Sequence, residues 1–222
     1  MKTSRILELA GLPNQNAKLL EALDRSKVTL KSLADKESKG VFDENWYDNG
    51  KLDCRNRSID SLEGAPSKVS GAFDCSLNNL STLEGAPSSV GGAFSCIQNK
   101  LASLKGAPKK VRDGFNCSSN VLTSLEGITP QIGGELVCDD NNLTSLHNIH
   151  MQIKHIGIEA RFRRNPLKSH VLGLLLIDGL ESVLMDNKKV AEILNKHLKG
   201  DKDTSACKKE LVEAGFEDFA QL

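Results

Sequence analysis

Residues 73–93 read Phe-Asp-Cys-Ser-Leu-Asn-Asn-Leu-Ser-Thr-Leu-Glu-Gly-Ala-Pro-Ser-Ser-Val-Gly-Gly-Ala, and residues 94–114 read Phe-Ser-Cys-Ile-Gln-Asn-Lys-Leu-Ala-Ser-Leu-Lys-Gly-Ala-Pro-Lys-Lys-Val-Arg-Asp-Gly. The second stretch restates the first with the same residue types at the same places, and the pattern runs through residues 51–167. Cys54, Cys75, Cys96, Cys117 and Cys138 fall one per unit, 21 residues apart. Two residues before each stand Leu52, Phe73, Phe94, Phe115 and Leu136. Five after come Ile59, Leu80, Leu101, Leu122 and Leu143, and eight after come Leu62, Leu83, Leu104, Leu125 and Leu146. A fixed period of this length, with apolar residues in constant places, is the mark of a solenoid whose units stack to share one core.

The spacing has a direct physical reading. Alternate residues of a strand share a face, so Phe-x-Cys is a short strand with both apolar side chains inside the coil. Three residues after the cysteine comes Asn78, Asn99, Asn120 or Asn141. A buried amide carries donors and an acceptor, so stacked asparagines can satisfy the backbone groups that a turning chain leaves open. Gly-Ala-Pro at 64–66, 85–87 and 106–108 turns the chain along the back. A unit this short has no room for a return helix, so the back is expected to be extended or polyproline-like. A branched residue, Val69, Val90, Val111, Ile132 or Ile153, closes each unit. The glycine pairs Gly91-Gly92 and Gly133-Gly134 are expected at turns with positive φ.

The frame Phe-x-Cys-x-x-Asn-x-Leu-x-x-Leu resembles the leucine-rich repeat, with cysteine in a leucine slot. Its short unit is similar to the repeats of bacterial effectors, and Ser-Leu-Glu-Gly-Ala-Pro at 61–66 resembles repeats of tailed-bacteriophage and bacterial proteins. The resemblance covers about half the chain. It implies an α+β solenoid with a parallel sheet on the concave face and an extended convex side. It also implies a scaffold for partners, without naming one.

The whole chain is 222 residues, 39% hydrophobic and 26% charged, with 29 basic and 29 acidic residues. That usage suits one soluble body. No segment is a polycation, so a long-range grip on nucleic acid is not indicated. The first residues lack the unbroken apolar core of a secretory signal, and the longest apolar run, 171–177 with Gly173 inside it, is too short to span a bilayer. The expected location is therefore the cytoplasm, that of the host for a phage protein, or the virion. Thiols stay reduced there, and no cofactor is implied.

Outside the repeat, residues 1–50 read as a helical cap. Ser4 starts a helix through Ile6, Leu7 and Leu9; further segments carry Leu19, Leu20 and Leu23, then Val28, Leu30 and Leu33. The alternative is a detachable docking helix. Trp46 and Tyr47 read as rings closing the end of the core or as binding anchors, and Arg57 replaces the ladder asparagine in the first unit. Inserting three residues after the fifth unit puts Phe162 in the cysteine slot, Asn165 in the ladder and Leu167 in the next leucine slot. Residues 168–222 read as a second helical cap. Its stripe is Val171, Leu172, Leu175 and Leu176, followed by Leu180, Val183 and Leu184. Further helices start at Asn187 and at Asp203 or Thr204, and Phe216 and Phe219 pack back.

Candidate partner-binding residues lie beside the core positions of each strand: Asp74, Ser95, Asn116 and Val137 before the cysteine, Ser76, Ile97, Ser118 and Asp139 after it, and Leu77 and Gln98 one further on. These columns vary while the core columns hold, which reads either as a face shaped for a protein partner or as a plain solvated sheet. No catalytic set is expected. The cysteines lack close pairs for zinc, His147, His150 and His155 lack a definite companion ligand, and Asp139 and Asp140 are adjacent strand positions. Arg161, Arg163 and Arg164 form one basic spot, read as a charged rim around a cap or as a site for an acidic partner or a phosphate backbone. Cys207 invites comparison with effector ubiquitin ligases, but Lys208 and Lys209 follow it, with no neighbouring acid or histidine. The reading is a non-enzymatic protein-interaction module. Its rivals are a virion or assembly protein docking through the N-terminal helix, and a cysteine enzyme.

Overall fold

In the computed structural model the described residues are 50–222, together with the backbone of Tyr47 and Asp48. The helices expected before residue 41 and the ring of Trp46 lie outside them. The described chain is a parallel β-solenoid of about six turns.

One sheet has eight short strands: β1 (Tyr47–Asp48), β2 (Lys51–Asp53), β4 (Phe73–Asp74), β6 (Phe94–Ser95), β8 (Phe115–Asn116), β10 (Leu136–Val137), β12 (Glu159–Arg161) and β13 (Ser182–Leu184). All pairs are parallel except β1 with β2. A second sheet runs along the back: β3 (Lys68–Val69), β5 (Ser89–Val90), β7 (Lys110–Val111), β9 (Gln131–Ile132) and β11 (His155–Ile156). The back is thus extended, as expected, and its extended residues also pair from coil to coil. Two-residue strands are too short to show alternation in a sequence.

The core follows the period. The Phe, Cys and Leu columns are buried, and the Phe73, Phe94 and Phe115 rings meet at centroid distances of 5.7 and 5.0 Å. The amide ladder forms between coils. Asn99 Oδ1 accepts from Leu80 N at 3.0 Å, while its Nδ2 donates to Cys75 O, Cys96 O and Ile97 O. Each asparagine therefore serves its own coil and the one before it. Asn78 does so for the first coil, accepting from Arg57 N and Ile59 N, so the Asn column starts one coil later and Arg57 can stand in the first place. The thiols add a second ladder, with Cys75 Sγ donating to Ser95 O and Cys117 Sγ to Val137 O.

Phe162 and Asn165 take the expected slots, and Asn165 Oδ1 accepts from Leu143 N. The insertion falls earlier than the sequence suggests. Ile156, in register with Ile132, closes the fifth unit in place of Ile153, and the extra residues form the single helical turn α1 (Ile149–Gln152). The glycine pairs are also corrected. Gly91 and Gly133 are not left-handed; a Cβ at either would run into the carbonyl oxygen of Ser70 or Arg112 in the preceding coil. Positive φ belongs to Gly64, Gly85, Gly106 and Gly127, which start the back turns.

The C-terminal segment departs most from the helical reading. Leu172–Leu176 is a 3-10 turn, and Val183 and Leu184 lie in β13, extending the sheet by one strand. The helix α2 (Lys188–Lys199) starts where Asn187 caps it, its Oδ1 accepting from Val190 N, and ends at Gly200. The helix α3 (Thr204–Glu213) is capped by Asp203, and Phe216 and Phe219 pack on the core.

Candidate functional site

The outward side of the eight-stranded sheet carries the candidate residues, and the turn after each strand decides what it displays. Asn56, Leu77, Gln98, Ser119, Asp140 and Arg164, all second after the buried Cys or Phe, have φ between 53 and 60°. This left-handed residue ends the strand and swings the next asparagine inward. Leu77 and Gln98 therefore stand on a corner beside the sheet and not on its flat face.

The residue before each cysteine projects outward, and in three coils, at Asp53, Asp74 and Asn116, its side chain bonds to its own strand end. Asp74 Oδ1 accepts from Ser76 N and Asn116 Oδ1 from Ser118 N, both at 3.0 Å. The residue after the cysteine is sheltered in three coils. Ser76, Ser118 and Asp139 are only 4%, 9% and 7% exposed, so three of the ten expected contact residues offer almost no surface. Ser76 Oγ pairs with Ser95 Oγ at 2.7 Å and accepts from Ile97 N, and Asp139 Oδ1 accepts from Arg163 N. Asp74, Ser95, Ile97, Asn116 and Val137 remain half-buried, while Leu77 and Gln98 are exposed.

Charge divides the face. At the first coils Arg55 lies between Asp53 and Asp74, and its side-chain hydrogen bond holds the Asp53 carboxyl below the usual carboxylate range. At the other end Arg164 clamps Asp140, lowering its pKa in the same way, and Arg161 lies 3.8 Å from Asp139 and 3.9 Å from Glu159. The basic spot of the sequence is thus set among carboxylates. Between the two ends lie Ser95, Ile97, Gln98, Asn116 and Ser119, all neutral.

The groups with chemical potential are spent on structure. Burial pushes the thiols of Cys54, Cys75, Cys96 and Cys138 far up. Cys207 is fully buried and its thiol is pushed up to about 11 by desolvation. Against the sequence reading, an acid does lie near it in the fold: Glu210, one turn on, also raises the thiol, accepts from Lys196 Nζ at 2.8 Å and pairs with His197 Nε2 at 2.9 Å, joining α2 to α3. No sequence signal links residues on separate helices in this way.

The histidines lock the end of the solenoid. His170 Nδ1 shares hydrogen bonds with Ser145 Oγ and Ser169 Oγ across the Ser145–Ser169 bridge, and its ring meets His147 edge-on at 4.8 Å. Among the described residues no group of three or more His, Cys, Asp or Glu is arranged to hold a metal ion, and no helix is long and apolar enough to cross a membrane.

Fold and surface together define a parallel β-solenoid with one variable outward face. Comparison with protein-family models, with curated proteins and with solved structures finds no match.

Proposed function

We propose that this chain is a non-enzymatic protein-interaction module of the leucine-rich-repeat kind, encoded by a bacteriophage or bacterium, that holds a protein partner on the outward columns of its eight-stranded sheet. It acts in the cytoplasm of the cell that contains it, and the C-terminal helices serve as its cap.

Leu77 carries the reading. It is 45% exposed and left-handed at φ 60°, a conformation that costs an L residue about 1–2 kcal/mol and that a bulky side chain adopts rarely. In the equivalent corner the first and fifth coils have Asn56 and Asp140, which tolerate that geometry far better. The corner itself belongs to the architecture of every coil, but a bulky apolar side chain exposed on it is particular to this one, and that choice of residue supports a role outside the fold. Around it Ile97, Gln98, Asn116 and Val137 supply the mixed apolar and neutral hydrogen-bonding surface of a protein interface. The buried thiols support a non-enzymatic role.

The test is capture of partner protein from host extract by wild type, Leu77→Arg, Ile97→Arg and Leu77→Asn. The reading expects the partner to be lost in all three, while Leu77→Asn is more stable to urea by about 0.5–1 kcal/mol. Equal capture by all three variants moves the binding site off this sheet. Detection of the chain in purified particles instead favours the virion role through the N-terminal segment.

A further inference from the structure

No segment of the sequence is a polycation, but the fold gathers cations that lie far apart along it. In the five-stranded back sheet Val69, Val90, Val111, Ile132 and Ile156 are buried in the core, so the residues on either side of each face outward. Those positions hold Lys68, Lys110 and Arg112, and Lys109 and Lys154 stand just ahead of their strands. All five are exposed, and among the described residues none forms an ion pair, whereas Lys105, off this sheet, pairs with Glu126 at 3.0 Å. The back segments 67–70, 88–91, 109–112, 130–133 and 154–157 contain no aspartate or glutamate. The first acids are met at the borders: Asp113 after Arg112, and Asp178, bridged to His155 at the far end.

The row is held straight from coil to coil, with Ser88 N donating to Ser67 O at 2.8 Å and Lys109 N to Ser88 O at 2.9 Å. Lys68, Ser89 and Lys110 are in register, so the two lysines stand two coils, or about 10 Å, apart. We propose that this back sheet is a docking face for the phosphate backbone of double-stranded nucleic acid, gripped without regard to sequence. Phosphates are met by Lys and Arg together with Ser, Gln and backbone N–H groups, and Ser67, Ser70, Ser88, Ser89 and Gln131 stand between the cations here. Lysines at that separation reach phosphates on both sides of a groove about 12 Å wide. The face has no Phe, Tyr or Trp on which the bases of a single strand would stack, and no outward Leu, Ile or Met to anchor a protein or enter a membrane. The front sheet stays free for a protein partner, so the two readings stand or fall separately.

The test is fluorescence anisotropy of a labelled mixed-sequence DNA duplex of about two helical turns, titrated with the full chain at several salt concentrations. Wild type binds at low salt, and its log affinity falls against log salt with a slope of about −3 to −4, as expected for four contacts. Lys109→Ala with Lys110→Ala weakens binding at least tenfold at low salt and flattens the slope by about two. Lys199→Ala with Lys208→Ala, the same charge change placed on the C-terminal helices, leaves both unchanged. No duplex binding by wild type, or equal loss in the two double variants, overturns the proposal. So does equal or tighter binding to a single strand of the same length, to polyglutamate or to vesicles rich in phosphatidylserine, each of which would assign the face to another partner.

Discussion

The repeated coils and the C-terminal segment solve the same problem with different means. Within the coils, an open backbone group is met by a residue one unit away, so Asn78, Asn99, Asn120, Asn141 and Asn165 do one job five times. Beyond residue 167 each solution occurs once: Asn195 closes β13, Glu210 ties α3 to α2, and His170 joins two serines. Repetition spreads stability over many equal interfaces, whereas the tail depends on single pairs. Damage to the first should be felt by the whole solenoid, and damage to the second should stay local.

The largest effect is expected from Phe94→Ala. The ring stacks between two others in a fully buried column, and its loss should cost about 3–5 kcal/mol in urea unfolding. Asn120→Ala comes next, at about 2–3 kcal/mol, because it takes the acceptor from Leu101 N and a donor from Ser118 O, and leaves Cys96 O and Cys117 O with only the amides of Asn99 and Asn141. Both variants should lower the whole unfolding transition. Were Asn120→Ala to melt only one end, the coils would not be cooperative and the contrast with the tail would fail.

A chemical probe sharpens the same contrast. All six cysteines are buried, so a thiol reagent should label none of them rapidly in the native state and all six after denaturation. One fast thiol at Cys207 alone would show that the tail opens independently of the coils.

The smallest effect concerns acid. Hydrogen bonds from Lys196 and then His197 hold the Glu210 carboxyl below the usual glutamate range. Its contribution to stability is therefore complete above the unfolded value, near pH 4.3, and is lost as pH falls through the lower folded value. Glu210→Gln should make α3 docking less dependent on pH below about 5, by a modest amount because the pair is partly solvated. Exchange of the α3 amides across that range reads it directly; an unaltered slope would mean that Glu210 does not couple the helices.

How much was legible follows from the same contrast. The period announces the Phe, Cys, Asn and Leu columns, and even the irregular sixth coil at Phe162 and Asn165, because each residue there has equivalents to align with. Asn187 and Asp203 were readable as caps because capping is local. Val183 and Leu184 were not readable as a strand: with Leu172, Leu175, Leu176 and Leu180 they fall at helical spacing, and a short apolar run fits either element. The shelter of Ser76, Ser118 and Asp139 was hidden for another reason. For Ser76 and Asp139 it goes with bonds to the next coil, to Ser95 and to Arg163, and pairs so far apart along the chain carry no local signal.

The most direct test of the central claim is amide exchange at Leu80, Leu101, Leu122 and Leu143. These residues lie outside the strands, and their N–H groups donate to the side-chain oxygens of Asn99, Asn120, Asn141 and Asn165. If internal amides hold the coils together, all four exchange as slowly as the amides of Phe94 and Phe115. If the four exchange at the rate of open loops, the ladder does not carry the fold, and the outward face has no rigid frame to stand on.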